Sequence, residues 1–220
     1  MWFTAALRYL HVLLMVFWIG ADIGVFIAGM RFMDSRRPLA ERAAALNLGG
    51  AIDRYPRVCF VAMWPVGLQL AYALGVMPQL SRRTLALAWC AAAVWMAAVI
   101  AAMVLHGKGA ALRWLRIQRA FRTAGFLVFT SLGISAWLGQ LHAPPWLSAK
   151  LLAYGAICLF AIVLERAFAP VEGMFATIVA EGSTPRAESA LRVQMLWTYG
   201  WVVAIYAAIL LCGFLGTVKP

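Results

Sequence analysis

The chain has 220 residues, of which 65% are hydrophobic and only 12% are charged, and its formal net charge is +11. A mean hydropathy of +0.85 is far above what a soluble domain needs, so the composition indicates an integral membrane protein. The sequence has no glycine-rich phosphate loop, no H-E-x-x-H and no G-x-S-x-G, which disfavours hydrolytic or nucleotide-driven chemistry.

Apolar stretches long enough to cross a membrane follow one another along the chain. In chain order they are residues 5–33, 58–77, 85–105, 123–141, 149–164 and 195–216. We predict an all-α, polytopic transmembrane bundle of six spans that forms a single domain over residues 1–220, with five or seven spans as alternatives. The first stretch is too long for the apolar region of a signal peptide and contains Asp22, so we expect it to remain in the protein.

Basic residues alternate between the two sides of this predicted bundle. Residues 31–57 contain six arginines, residues 106–122 contain five lysines and arginines, and residues 166–192 contain three. The opposite side has five basic residues: Arg8, Arg82, Arg83, Lys150 and Lys219. By the positive-inside rule this split predicts that both termini lie outside, on the periplasmic face of a bacterial inner membrane. It also explains the net charge without a nucleic-acid partner.

Two connecting segments on the basic side are predicted to be helical. The stretch that begins at Arg36 opens a short amphipathic helix, which should end near Gly49 and Gly50. Residues 170–192 are interrupted by Gly-Ser-Thr-Pro at 182–185, and this interruption predicts two short helical pieces.

The first span carries the most informative polar residues of the chain. His11, Trp18 and Asp22 recur at offsets of seven and eleven residues, which bring side chains back to one helical face. An imidazole and a carboxylate are expensive to expose to lipid, so this face should look into protein, water or a cofactor. We predict that Asp22 serves as a proton or ion-pair group and that Trp18 lies at the cofactor site.

Depth along the predicted helices separates the three histidines. His11 lies roughly 8–10 Å inside the outer boundary, and His142 ends the fourth span on the same side, whereas His106 lies at the inner boundary. Arg8 and Lys150 add cations to the outer half. Haem b needs axial nitrogen ligands, an apolar slot and basic groups near its propionates. We therefore predict one haem, ligated by His11 and His142, with Arg8 and Lys150 at the propionates.

Short motifs in this order also suggest a family. Tyr9-Leu10-His11 followed by Trp18-Ile19-Gly20 resembles the first helix of the HemJ-type protoporphyrinogen oxidases and of the related CopD-type and urate-oxidase N-terminal membrane proteins. Met63-Trp64-Pro65 with Gly75 resembles the second HemJ helix, and the W-x-x-x-K-L-L run at 146–152 resembles the third. The terminal V-K-P is similar as well. The resemblance implies haem b binding with His11 as a ligand, and it offers Met63 as the second ligand.

The chain also departs from that family. Its third and fourth spans are an extra pair between the matching parts, and R-x-x-N-E-x-P does not precede the last span. From the haem residues we predict an integral-membrane b-type cytochrome that passes electrons between a quinone and a redox partner protein. The resemblance implies two alternatives, HemJ-type porphyrinogen oxidation and CopD-like copper transport, and a third is an accessory subunit of a homo-oligomer or larger complex.

The second axial ligand depends on depth. Counting from the predicted span ends, Met63 lies roughly 15–20 Å below His11, too far for one haem, and this favours His142. Met63 could instead pair with His106 in a second haem. Copper transport would use soft ligands toward the inner side, namely Cys59, Met63, Met103 and His106. An accessory subunit would bind through small-residue faces such as residues 20–24.

Overall fold

The computed structural model describes residues 2–105 and 111–219. Over these residues the fold is all-helical, as the sequence predicts. The helices are α1 (Trp2–Met33), α2 (Leu39–Ile52), α3 (Arg54–Ala73), α4 (Arg82–Val104), α5 (Ala111–Trp137), α6 (Pro145–Phe168), α7 (Val171–Glu181) and α8 (Pro185–Val218).

Helices long and apolar enough to cross a membrane are Trp2–Met33, Arg82–Val104, the α6–α7 stretch Pro145–Glu181, and Pro185–Val218. The other two long helices are more polar. α3 carries Arg54, Arg57 and Gln69, and the first half of α5 carries four arginines. The fold is thus that of a membrane-spanning helical protein, and the count of six spans depends on α3 and α5.

The helix boundaries differ from the predicted spans, and three of the differences bear on the fold. α3 begins before residue 58 and ends at Ala73, and Gly75 follows with φ of 68°, a conformation that favours glycine. α5 begins at Ala111 rather than near 123, because the apolar stretch marks only the membrane-length part of the helix, and the helix extends beyond it into a segment with four arginines. The prediction of a second short helix within residues 170–192 is wrong. Pro185 begins α8, which runs unbroken to Val218 with Thr184 as its N-cap.

The six long helices form a closed ring. In the order α1, α3, α4, α5, α6 and α8 each helix packs against the next, and α8 returns to α1. All six contribute to one buried cluster that is rich in aromatic side chains. The helices surround this cluster and leave their outer faces apolar and exposed, which is the pattern that lipid contact requires.

The two ends of the ring differ in charge. α1, α4 and α6 end, and α3, α5 and α8 begin, at the end that also carries α2 and α7. We call this the basic end and the other the opposite end. Seven of the eight acidic residues of the sequence, all but Asp22, lie in segments of the basic end. The opposite end contains five lysines and arginines and no acidic side chain.

Arg42 ties the short helices to the ring at the basic end. Its side chain is 0% exposed, its Nε donates to the carbonyl of Phe32 at 2.9 Å, and both terminal nitrogens donate to Glu188 at 2.7 and 2.9 Å. The guanidinium also lies 5.3 Å from the ring centroid of Phe175. One side chain therefore joins α1, α2, α7 and α8, a role that the sequence pattern did not reveal.

Candidate functional site

His11 packs into the ring against a glycine. A Cβ built on Gly67 of α3 would lie 3.2 Å from His11 Cε1, so the imidazole rests directly on that helix. The Nδ1 atom of His11 is buried and has no hydrogen-bond partner among the described residues. Buried polar atoms are nearly always paired in folded proteins, so this nitrogen indicates a place where a ligand or water belongs.

The contact with Gly67 corrects the predicted depth of Met63. Trp18 and Phe60, whose ring centroids are 5.2 Å apart, set the same antiparallel register of α1 on α3. Met63 is one turn from Gly67, so its level differs from that of His11 by about 6 Å. The separation predicted from the sequence was too large, because α1 begins before residue 5 and α3 ends before residue 77.

Met63 belongs to the buried cluster that includes Trp18, and its side chain is only 8% exposed. The same register places Met15 level with Met63. Met15 points toward α8, because a Cβ on Gly213 would lie 3.0 Å from its sulfur. A histidine and two thioethers thus lie within about one and a half helical turns on the inner side of the ring.

Lys150 of α6 lies in the same region. A Cβ built on Gly216 of α8 would lie 2.7 Å from its Nζ, so the ammonium group lies against a bare helix surface. Lys150 is close enough to His11 to interact with it electrostatically, and its titratable neighbours are the Cys212 thiol and the Lys219 ammonium group. No carboxylate of the described residues forms an ion pair with it. The site therefore combines an imidazole and a cation without an acidic counterpart.

The remaining predicted haem residues lie elsewhere. His142 is exposed in the turn between α5 and α6, next to the small cluster that contains Met77 and Leu147. Arg8 is exposed on α1. His106 lies outside the described residues. Of the two ligands considered for the partner position opposite His11, Met63 is the buried one.

Asp22 belongs to a second polar region, at the basic end of the ring. We call this the charge cluster and define it as Asp22, Asp53, Arg57, Arg119, Arg122 and Glu165. Arg57 Nε donates to Asp53 at 2.6 Å, and Glu165 accepts from Arg119 at 2.6 Å and from Arg122 at 2.5 Å. Arg57 also faces Asp22 and Glu165 electrostatically. Its direct contacts join α6 to α5 through Glu165 and join Arg57 of α3 to the Asp53 residue that precedes the helix.

An aromatic layer separates the charge cluster from the His11 region. The ring of Phe60 lies 5.2 Å from that of Trp95 and 5.7 Å from that of Tyr154, in addition to its contact with Trp18. The Tyr154 hydroxyl donates to the Phe60 carbonyl at 2.8 Å. Trp95 stacks on Phe121 at 5.4 Å. These contacts make a dense apolar layer across the middle of the bundle.

Sequence reasoning missed most of the charge cluster. Arg57 and Arg122 enter the sequence analysis only as basic residues that report topology, and Glu165 has no predicted role, because each of the three lies just outside a predicted span. One signal was present in the sequence. Glu165 is an acidic residue on the side where basic residues dominate, directly after an apolar stretch, and such a residue often pairs with arginines of a neighbouring helix.

Two surface depressions are described, and neither is lined by a predicted site residue. One of about 200 Å³ is lined by Ile134, Trp137, Leu138 and Leu152. The other, of about 360 Å³, is lined by Met33, Ser35, Pro185, Glu188, Ser189 and Arg192. The described residues contain no group of three or more His, Cys, Asp or Glu arranged for a metal ion. Of the copper ligands considered, Cys59, Met63 and Met103 pack in one cluster, and His106 is outside the described residues.

Comparisons with protein-family models, with curated proteins and with solved structures gave no match to this chain. The resemblance to HemJ-type and CopD-type proteins therefore rests on the motifs quoted above, and it stays a prediction.

Proposed function

We propose that this chain is an integral-membrane b-type haem protein that transfers electrons between a quinone and a redox partner protein. In this proposal it crosses a bacterial inner membrane six times, through α1, α3, α4, α5, α6 and α8, and both termini face the periplasm. The observation that carries the proposal is the buried, unpartnered nitrogen of His11 beside a lysine that has no acidic partner among the described residues.

The donor chemistry of this region fits haem iron. An imidazole whose nitrogen lacks a partner is a natural axial ligand, and a thioether as the second ligand is typical of electron-transfer haems. We assign His11 as the first ligand and Met63 as the second. Met63 replaces His142, because the corrected register brings Met63 near the level of His11, whereas His142 is exposed. Haem bound here would supply a centre that accepts and releases one electron.

Lys150 is proposed to hold an anionic group of the cofactor. Lys150 is half-buried, and an ammonium group partly withdrawn from water is costly unless an anion accompanies it. The opposite end has no acidic side chain to supply one, and a haem propionate would. Arg8, exposed on α1 three residues before His11, would add charge at the surface of the same end.

Asp22 is proposed to exchange a proton when the redox state changes. It lies on the far side of the aromatic layer from His11, with Trp18 between the two along α1. A carboxyl group within an apolar helix responds strongly to a change of charge nearby, because little water screens it.

Spectroscopy of the purified protein tests the ligand assignment. Wild type purified after expression with sufficient haem should show a Soret band, and His11→Ala should abolish the reduced-minus-oxidised haem signal while the protein still inserts. Met63→Leu should shift the spectrum toward high spin without complete loss of haem. His142→Ala is the matched control and should leave the spectrum unchanged. A wild type without a Soret band, or a normal band in His11→Ala, would overturn the proposal.

Metal analysis of the same sample separates the other functions. Copper without a haem spectrum would support CopD-like transport, and neither metal would support an accessory subunit. Rescue of a strain that lacks protoporphyrinogen oxidase would assign the HemJ-type activity instead of simple electron transfer.

Cysteine labelling tests the proposed topology. Arg116 is exposed near the start of α5 at the basic end, and Ser81 is exposed at the opposite end. In a background without native cysteines, Ser81→Cys should react with an impermeant reagent in intact cells. Arg116→Cys should react only after the membrane is opened. Labelling of Arg116→Cys in intact cells would reverse the orientation.

A further inference from the structure

We infer that Asp22 and Tyr206 form a proton-binding pair that exchanges protons with water at the basic end, through the charge cluster. The pair deepens the proposed role of Asp22 and rests on that function only for its coupling to electron transfer. The reaction itself is simple: the Asp22 carboxylate takes a proton from water and becomes a carboxylic acid, and the reverse step returns the proton.

The packing of α8 on α1 places the two residues at one level. A Cβ built on Gly29 would lie 2.5 Å from the Tyr199 hydroxyl, which donates to the carbonyl of Phe26 at 3.3 Å. Farther along, Met15 meets Gly213. These contacts fix an antiparallel register in which Tyr206 is level with Asp22, and the two side chains are near enough to interact electrostatically.

Tyr206 has an unmet hydrogen-bonding requirement. Its hydroxyl oxygen is buried and has no partner among the described residues. A phenolic hydroxyl can donate one hydrogen bond and accept others, so it suits either form of a carboxyl group, directly or through one water molecule. Tyr199, the neighbouring tyrosine on α8, differs because its hydroxyl already has a backbone partner.

The groups around Asp22 favour access from the basic end. Within α1, the indole of Trp18 is adjacent to Asp22. From the α3 side, Asp53, Arg57 and Cys59 face Asp22. From α8, Tyr206 faces Asp22. Beyond Arg57 stand Glu165 and Arg122, which complete the charge cluster. This side offers a succession of polar groups toward the surface of the basic end.

The other direction is apolar. Between Asp22 and His11 the interior is occupied by Trp18 and by the rings that pack on Phe60. A proton has no succession of hydrogen-bonding side chains to follow through that layer in the described structure, so its exchange is assigned to the basic end.

Infrared difference spectroscopy of the purified protein during a pH titration tests the pair, and it needs no haem. The wild type should show a carbonyl band of a protonated carboxylic acid that Asp22→Asn removes and that Asp22→Glu retains at a shifted frequency. Tyr206→Phe should move the band to higher frequency, because the carbonyl loses a hydrogen bond. Tyr199→Phe is the matched control and should leave the band in place.

Two charge variants test the side of access. Arg57→Gln should move the titration midpoint of the band toward higher pH, because it removes a cation that stabilises the carboxylate. Lys150→Gln, behind the aromatic layer, should leave that midpoint unchanged. The same band in wild type and Asp22→Asn, or an unmoved band in Tyr206→Phe, would overturn the inference. A protein that shows the band but has no Soret band after expression with sufficient haem would overturn only the proposed function.

Discussion

The two ends of this helical ring handle buried charge in opposite ways. At the basic end every ion pair of the described chain is found, and buried arginines such as Arg42 and Arg122 each contact a carboxylate. At the opposite end the buried Nδ1 of His11 has no hydrogen-bond partner, and the half-buried Lys150 has no acidic partner among the described residues. The buried arginines of the basic end therefore have acidic partners, whereas the polar groups inside the opposite end have none among the described residues.

This difference separates structural charge from functional charge. A buried ion pair with full hydrogen bonding fixes the packing of the helices that it joins, and removing one member leaves the other without compensation. A buried cation or imidazole without a partner contributes nothing of that kind to the folded state. A bound group from outside the chain would supply the missing partner, and this is the reason that we propose the haem at the opposite end.

The largest effect should come from Arg42. Arg42→Ala removes three hydrogen bonds and leaves Glu188 without its cation, so the free energy of unfolding should fall by about 3–5 kcal/mol. Arg37→Ala is the matched control, because Arg37 forms ion pairs but is 40% exposed, and it should cost at most about 1 kcal/mol. Thermal unfolding in one detergent compares the two. Equal losses of stability in Arg42→Ala and Arg37→Ala would mean that the buried contacts of Arg42 do not stabilise the fold more than an exposed ion pair does.

Substitution of Glu165 should also reduce the free energy of unfolding, but by less than substitution of Arg42. Glu165→Ala leaves Arg119 and the largely buried Arg122 without their acceptor, and we expect a destabilisation of about 1–3 kcal/mol. Glu172→Ala changes an exposed glutamate at the same end and should shift the melting temperature little. A neutral Glu165→Ala would show that the charge cluster does not hold α5 and α6 together.

Substitution of Lys150, unlike that of Arg42 or Glu165, should not reduce the stability of the haem-free protein. In the haem-free protein Lys150→Met replaces an unpaired, half-buried cation with an apolar side chain, so stability should stay equal or rise by up to about 1 kcal/mol. In the haem-loaded protein the same change should reduce the increase in melting temperature that haem produces. Arg82→Met, exposed at the same end, should change neither value. Destabilisation of the haem-free protein by Lys150→Met would mean that the chain itself supplies a partner.

The smallest expected effect tests the packing of the His11 imidazole against Gly67. Gly200 has open space around it, so Gly200→Ala should stabilise its helix by about 0.5–1 kcal/mol. Gly67→Ala should lose that gain, because its new methyl group would lie 3.2 Å from the imidazole. In a His11→Ala background the gain at Gly67 should return, and a double-mutant cycle measures the difference. Identical values in both backgrounds would show that the contact is absent.

The sequence by itself determined the class of the protein and most of its helices. Apolar stretches of spanning length and the absence of soluble-enzyme motifs are sufficient to predict a helical membrane protein, because length and hydropathy are properties of one segment at a time. The spacing of His11, Trp18 and Asp22 also placed these residues on an inward face. The first polar residues of the candidate site could therefore be found without any structure.

Only the tertiary structure decided which residues meet. The level of Met63 relative to His11 depends on where α1 begins and α3 ends, and errors of a few residues at each helix end add to a large error in depth. The pairing of Arg57 and Arg122 with acids, and of Arg42 with Glu188, joins segments that are distant along the chain. Periodicity within one helix carries no information about such contacts, because they arise from the register between helices, which packing of side chains such as Trp18 on Phe60 sets.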